Sequence, residues 1–469
     1  MIYIDKNSSL SLYEQIYNCI KKDITDGSIG YNEKLPPIRT LANELSVSKN
    51  TVEHAYQQLF VEGYVDSVQG SGYIVCDIQP YFEPIDASPS PLKIELENNS
   101  NSLKDIKYDF QYGNISEHSF SIGKWKKSVD EVNSSLLIKQ MSFYNLPKGE
   151  ISLRAEIKRY LKKARGIECD LEQIIICNGL QSSLSMICEL LSHDYKNIGF
   201  EEPGYNGARI IFKKHNCTIY PIPVQHKKTE WILKNAPYKT VYITPSHQFP
   251  LGFVMPIKER LSLLNWASSN DCYIIEDDYD SELRYHSNPI PSLFSIDKSD
   301  RTIYIGTFSK AFSPAIRMNY VVLPRHLIHS FSEYKANIYS TVSWFDQQVM
   351  ANYLHNGFFE KQLRILRKEN MMKHDVLIEC LNNYFNSHIK ILGANAGLHV
   401  VIQIDFSAKQ DELLKKAQNN SVNIYSINEH YIAPTRDSEK YFLIGFSQLE
   451  VPEIEAGIKC LFEAWQNYL

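Results

Sequence analysis

The chain of 469 residues lacks any uninterrupted apolar run long enough to span a bilayer, and its start, Met1-Ile2-Tyr3-Ile4-Asp5, lacks a basic stretch followed by an apolar one and a cleavage site. Neither a membrane-spanning nor a secreted protein is expected, and the reading is a cytoplasmic protein with no membrane partner. Cysteine is scattered: the nine residues at 19, 76, 169, 177, 188, 217, 272, 380 and 460 include no Cys-x-x-Cys pair and no matching histidine spacing. This pattern argues against a disulfide framework and against zinc, so no metal site is expected. An excess of positive charge is missing too. The net charge of −5 predicts solubility and gives no sign of a nucleic-acid partner. What is present, 43% hydrophobic and 22% charged residues, is the balance of a globular chain with room for two or three domains.

The first part of the chain is patterned as helices and then as strands. Leu12, Ile16, Ile20 and Ile24 recur four apart, one buried stripe on a helix that Asp26-Gly27 ends. Leu35-Pro36-Pro37 opens a second helix carrying Ile38, Leu41, Ala42 and Leu45. Ser46-Val47-Ser48 turns into a third, with Ser48 as N-cap, a buried face of Val52, Ala55, Tyr56, Leu59 and Phe60, and Gly63 as its stop. Tyr64–Val68 and Tyr73–Val75 alternate around Gln69-Gly70-Ser71-Gly72, a β-hairpin with a glycine-rich tip. Three helices and a hairpin make a winged helix-turn-helix. Its third helix can enter a DNA major groove, with Lys49, Asn50 and Thr51 reaching phosphates or base edges and Arg39 the backbone. The other reading is a protein-interaction module, which charge favours: residues 1–78 hold six Lys/Arg (6, 21, 22, 34, 39, 49) against ten Asp/Glu (5, 14, 23, 26, 33, 44, 53, 62, 66, 77). DNA binding by such a module must rest on a local cationic edge.

Here a resemblance decides. Leu35-Pro36-Pro37-Ile38-Arg39-x-Leu41-Ala42, Val47-Ser48-Lys49-Asn50-Thr51-Val52-x-x-Ala55-Tyr56-x-x-Leu59, Glu62-Gly63-Tyr64-Val65 and Gly70-Ser71-Gly72-Tyr73 closely resemble the GntR family of bacterial regulators. The resemblance implies operator binding as a dimer, with Arg39, Ser48, Lys49, Asn50, Thr51 and the wing tip Gly70, Ser71 and Gly72 as DNA contacts. Lys49 stands where the family carries arginine, which keeps the charge and loses the bidentate fork. The module is expected over residues 1–78. Residues 79–107, with Pro80, Pro84, Pro89, Pro91 and the polar run Glu97–Ser102, read as an extended linker.

From Tyr108 onward short apolar strands alternate with amphipathic helices, which predicts an α/β domain with a mostly parallel sheet, helices on both faces and sites at the carboxyl ends of the strands. Ile174–Ile176 leads to Asn178-Gly179-Leu180-Gln181, Ile198–Phe200 to Glu201–Tyr205, Thr240–Ile243 to Thr244–Pro250, and Tyr273–Ile275 to Glu276–Tyr279. Gly179 before a helix lets the N–H groups of Leu180 and Gln181 approach a phosphate, or it is a plain strand-to-helix turn. Asp277 can pair with a protonated pyridine nitrogen, or cap a helix. Tyr205 can stack on an aromatic ring and Tyr279 can hydrogen-bond a phenolic oxygen, or both are ordinary core-edge residues. Thr307-Phe308-Ser309-Lys310, with Arg317 beyond, follows a further buried strand: a lysine amine able to form a Schiff base, beside Thr307, Ser309 and Arg317 able to hold a phosphate. These signals, in order on successive strand ends, are improbable as unrelated coincidences.

Residues 108–469 resemble the fold-type-I aminotransferases that use pyridoxal 5'-phosphate. The resemblance implies Lys310 as the Schiff-base lysine, Asp277 as the pyridinium partner, Tyr205 stacking, Tyr279 at the ring oxygen, and Gly179, Leu180, Gln181, Thr307, Ser309 and Arg317 around the phosphate. It also implies a smaller subdomain from about residue 325 to 469. A GntR-like head on such a body is similar to the MocR/GabR subfamily of regulators, whose members imply a head-to-tail homodimer that senses an amine, an amino acid or the cofactor itself through an aldimine at Lys310. Two departures bear on turnover. Phe249 occupies the place where the enzymes carry an asparagine against the ring oxygen, and Glu439-Lys440-Tyr441 stands where an arginine would hold an effector carboxylate, leaving Arg209 and Arg436 as candidates. The expectation is a regulator with little or no full transamination; the alternative is an active aminotransferase whose head is a docking or autoregulatory module.

Overall fold

The structure is a computed structural model that describes residues 4–5, 8–70, 72–78, 106–116, 119–224, 236–285, 290–334 and 339–469. The chain forms two compact units that divide between Asn101 and Ser102. The expected linker lies outside the described residues except for Ile106 and Lys107.

The first unit holds helices α1 (Leu12–Thr25), α2 (Ile38–Glu44) and α3 (Lys49–Val61) and strands β1 (Val65–Val68) and β2 (Gly72–Val75). The stripe of α1, Ile16, Ile20 and Ile24, packs with Val52, Ala55, Tyr56 and Leu59 of α3. Each fully buried aliphatic side chain contributes roughly 2 kcal/mol, and this core holds the unit together. Phe60, expected on the buried face, is 39% exposed. The step of about 100° per residue carries it past the stripe that Leu59 completes, and its ring meets Tyr73 edge-on instead. The hairpin pairs β1 with β2 antiparallel, Val65 opposite Val75 and Val68 opposite Gly72.

The second unit begins with β3 (Tyr108–Asp109), then α4 (Ile122–Ser134) and α5 (Ile151–Arg165). Next come β4 (Ile174–Cys177), α6 (Gly179–Leu190), β5 (Asn197–Glu202), α7 (Asn206–Lys214), β6 (Thr218–Pro223), β7 (Thr240–Ile243), β8 (Tyr273–Asp278), β9 (Thr302–Thr307) and β10 (Asn319–Val322). The last seven strands form one sheet in the order β4-β10-β9-β8-β7-β5-β6. Five run parallel from β9 to β6, while β10 is antiparallel to both β9 and β4. The runs Ile174–Cys177, Thr240–Ile243 and Tyr273–Asp278 are buried at every position, as a sheet covered on both faces requires.

A second layer is built on β11 (Ile389–Leu392), β12 (His399–Ile404), β14 (Tyr425–Ser426) and β15 (Tyr441–Gly445), an antiparallel sheet ordered β11-β12-β15-β14, while β13 (Val422–Asn423) pairs with β3. Its core begins later than residue 325. The helix Trp344–His355 packs on the large sheet through Met350, Ala351, Tyr353 and Leu354. The helix Phe358–Phe385 spans both layers, with Phe359 in the first core and Leu377, Leu381 and Phe385 in the second. Tyr108 and Phe110, far away in sequence, complete that second core.

Candidate functional site

Among the described residues no helix is long and apolar enough to cross a membrane, and no cluster of His, Cys, Asp and Glu could hold a metal ion. In the first unit, α2, the turn at Ser46 (φ 54°) and α3 make the helix-turn-helix. Ser48 caps α3, its side-chain oxygen accepting from Thr51 N at 3.2 Å. Arg39, Lys49, Asn50 and the tip glycines Gly70 and Gly72 are exposed, and Thr51 is half-buried. Ser71 lies outside the described residues.

In the second unit, a cavity of about 150 Å³ opens at the carboxyl ends of β7, β8 and β9 and the start of α6. Of the residues expected there, Leu180, Gln181, Tyr205, Asp277, Tyr279, Thr307, Ser309, Lys310 and Arg317 line it. Gly179 adjoins through Arg317: its φ of +78° is a left-handed value, and a Cβ at this position would lie 2.5 Å from Arg317 Nη2. The glycine therefore admits the guanidinium to the first turn of α6, whose free N–H groups favour an anion. Arg317 is itself left-handed (φ 47°), set by the turn after Pro314–Ile316.

Lys310 donates to the Gly113 carbonyl at 3.3 Å, and its amine sits 4.3 Å from the Tyr112 ring centre. Burial lowers its pKa to about 8, with Arg317 adding to the effect and Asp280 opposing it. Asp277 lies inside β8, which runs on to Asp278 in register with β9 rather than stopping at Ile275; Asp277 faces Ile305. It is therefore a strand residue and caps no helix. Burial pushes its carboxyl up to about 7, against the lowering effect of the Tyr242 hydroxyl that donates to it. Behind it the buried pair Arg165–Asp278, at 2.7 Å, anchors the strand end, and Tyr304 and Ser281 donate to Asp278 as well.

Phe249 is 4% exposed and lines the cavity, with Tyr205 and Tyr279 edge-on to it at 5.5 and 6.0 Å. The Tyr279 hydroxyl lies 3.1 Å from His247 Nδ1, which lies 2.7 Å from Asp280. Neither effector candidate, Arg209 or Arg436, is among the residues that line the cavity, and Arg436 is exposed. Arg209, on α7, donates through Nη2 to Asn206 Oδ1 and to the Glu429 carbonyl, each at 2.7 Å, while its Nη1 is buried with no hydrogen-bond partner among the described residues. Tyr112, Gly113, Tyr242, His247 and Asp280 were not singled out by sequence. Tyr112 and Gly113 lie almost two hundred positions before Lys310, and Tyr242 reaches Asp277 only because β7 and β8 are adjacent, so no local pattern marks them.

These residues fit pyridoxal 5'-phosphate. Asp277 is a buried carboxyl that accepts from the Tyr242 hydroxyl, an acceptor of the kind a ring N–H requires. At the far end, Arg317, Thr307, Ser309 and the α6 terminus gather donors along the cavity wall, where a Cβ on Gly179 would collide with the Arg317 guanidinium. Fold and site thus define a class: a winged helix-turn-helix joined to a fold-type-I, pyridoxal-phosphate-dependent aminotransferase-like domain.

Residues 12–75 match the family described as bacterial regulatory proteins of the gntR family, and residues 111–442 match aminotransferase class I and II. The chain is 36% identical to the HTH-type transcriptional regulator YdeL of Bacillus subtilis over 99% of both chains. It is 27% identical to the probable rhizopine catabolism regulatory protein MocR of Rhizobium meliloti, over 99% of this chain and 96% of the other. A solved kynurenine aminotransferase of Pyrococcus horikoshii superposes with a TM-score of 0.70 at 25% identity, over 77% of this chain and 91% of the enzyme. The chain belongs to the MocR-type regulators of the GntR family, DNA-binding proteins whose aminotransferase-like domain takes pyridoxal 5'-phosphate as cofactor.

Proposed function

We propose that this regulator senses an amino acid through chemistry at Lys310 and answers by changing its grip on operator DNA as a homodimer. When bound, pyridoxal 5'-phosphate supplies an aldehyde for amines and a ring that withdraws electrons. Lys310, its amine lowered to about 8, would be the nucleophile that holds the group. Asp277 would hold the ring N–H, Tyr205 would cover a ring face, Tyr279 would donate to the ring oxygen, and Leu180, Gln181, Thr307, Ser309 and Arg317 would bind the phosphate. The observation that carries an amino acid, rather than a plain amine or the cofactor alone, is Arg209: a buried Nη1 with no hydrogen-bond partner among the described residues is a place for a carboxylate. Phe249 supports sensing over turnover, since a phenyl ring donates nothing to the ring oxygen.

In the head, Arg39, Ser48, Lys49, Asn50, Thr51 and the wing tip Gly70–Gly72 contact DNA. The homodimer finds support in an apolar strip of the body, where Leu136, Phe143 and Tyr144 are 85%, 76% and 82% exposed. An effector shifts DNA affinity only if it binds the two arrangements of the dimer unequally. The test is a gel shift on promoter-region DNA with and without cofactor, together with an absorbance screen of amino acids and plain amines. Expected are DNA binding, loss of the Lys310-dependent absorbance with amino acids, and loss of that response in Arg209→Ala. Absence of DNA binding in every arm overturns the regulator, and sustained conversion of amino acid to keto acid over many cofactor equivalents establishes the enzyme instead.

A further inference from the structure

We propose that His247, held by Asp280, is a positioning residue that aims the Tyr279 phenol proton into the cofactor cavity. The inference rests on the reading of Lys310 as the cofactor's point of attachment. His247 and Asp280 are each 2% exposed, and Nδ1 lies 2.7 Å from Asp280 Oδ2. An ionised carboxylate only accepts, so Nδ1 carries the hydrogen. The Tyr279 oxygen lies 3.1 Å from that same nitrogen. With Nδ1 carrying a hydrogen, the phenol oxygen can only accept there, and its own hydrogen is left to point elsewhere. Tyr279 lines the cavity, where the ring oxygen is the acceptor to be served.

The imidazole is boxed into this orientation. Gly397 (φ +81°) and Gly252 (φ +72°) press against it: a Cβ on Gly397 would lie 2.4 Å from His247 Cε1 and 2.5 Å from Asp280 Oδ2, and one on Gly252 would lie 3.0 Å from Nε2. Nε2 has no hydrogen-bond partner among the described residues, so the tautomer is selected by Asp280. Phe249 makes the aim matter, because a second donor to the ring oxygen is missing from its place. The charged and titratable groups facing this pair are Tyr112, Asp277 and Glu201 about Tyr279, His399 at 5.4 Å from the His247 ring, and Lys310 across the cavity.

The experiment follows the visible absorbance of the full-length, cofactor-loaded protein through a pH titration. A phenol proton given to the ring oxygen stabilises negative charge there and weakens the hold of the neighbouring Lys310 nitrogen on its own proton. Loss of that aim therefore raises the midpoint. His247→Leu is expected to raise it by about one pH unit, a tenfold change in proton affinity, as Tyr279→Phe does. The double variant shifts no further than Tyr279→Phe alone, because the two residues act as one unit. His247→Asn, with an amide N–H near the place of Nδ1–H, recovers at least half the shift. If His247→Leu fails to fold, His247→Met carries the same comparison. A wild-type midpoint in His247→Leu or His247→Met, or shifts that add in the double variant, overturns the inference. Retention of the absorbance in Lys310→Ala is a different failure, that of the attachment point itself.

Discussion

Asp277 is an acid kept where its charge is poorly solvated. Its carboxyl rises from 3.8 to about 7, chiefly through burial. The cofactor-free folded chain therefore holds a proton that the unfolded chain releases, and this residue lowers stability as pH rises from about 4 to about 7, with no further change above. Asp277→Asn removes that penalty. Urea unfolding of the cofactor-free protein at pH 8 should show the variant more stable by up to about 4 kcal/mol, three pKa units at 1.36 kcal/mol each, with the difference vanishing below about pH 4. The same variant should bind cofactor at least tenfold more weakly by absorbance titration, since the ring N–H loses its carboxylate. A wild-type advantage at pH 8 would falsify this account of the site. Lys310 and Asp277 were legible in sequence because lysine and aspartate are rare among buried strand ends; Tyr242 was not, because a tyrosine in an apolar run reads as core until its neighbouring strand is known.

At the scale of the element, two helix starts do different work. Gly179 opens α6 with a left-handed φ and leaves room for Arg317. Gly179→Ala is expected to cost about 1–2 kcal/mol in backbone strain and to raise the cofactor dissociation constant at least tenfold by displacing the guanidinium. Calorimetry and absorbance titration check the two effects separately. Ser48 opens α3 through its bond to Thr51 N. Ser48→Ala should lower head stability by about 1 kcal/mol, read as a shifted thermal transition, with cofactor absorbance unchanged. Element identities were legible from period and caps, since both are local. Their extents were less so: β8 continues through three acidic residues, Glu276, Asp277 and Asp278, that composition alone assigns to a loop. Parallel pairing with β9 and the buried Arg165 make those positions strand.

Over the whole molecule, Leu136, Phe143 and Tyr144 are large apolar side chains left exposed on the body, a place for the proposed homodimer interface. For the homodimer proposed above, Leu136→Asp with Phe143→Asp is expected to give a monomer in analytical ultracentrifugation. Operator affinity should fall at least tenfold, because a single head makes half the contacts. A variant that remains dimeric assigns the interface elsewhere.

Sequence alone determined the order of modules, the helix-turn-helix, the strand-and-helix alternation and most of the residues expected at the cavity, because each is carried by neighbours a few positions apart and by side chains whose chemistry is rare in a core. Tertiary structure decided the rest. It brought Gly113 and Tyr112 to Lys310, set Tyr242 on Asp277, drew Tyr108 and Phe110 into the C-terminal core, left Arg436 in solvent and Arg209 with an unpartnered nitrogen, and placed His247 between Asp280 and Tyr279. These relations depend on which strands lie side by side and which glycines let chains approach, and neither is written in a local pattern.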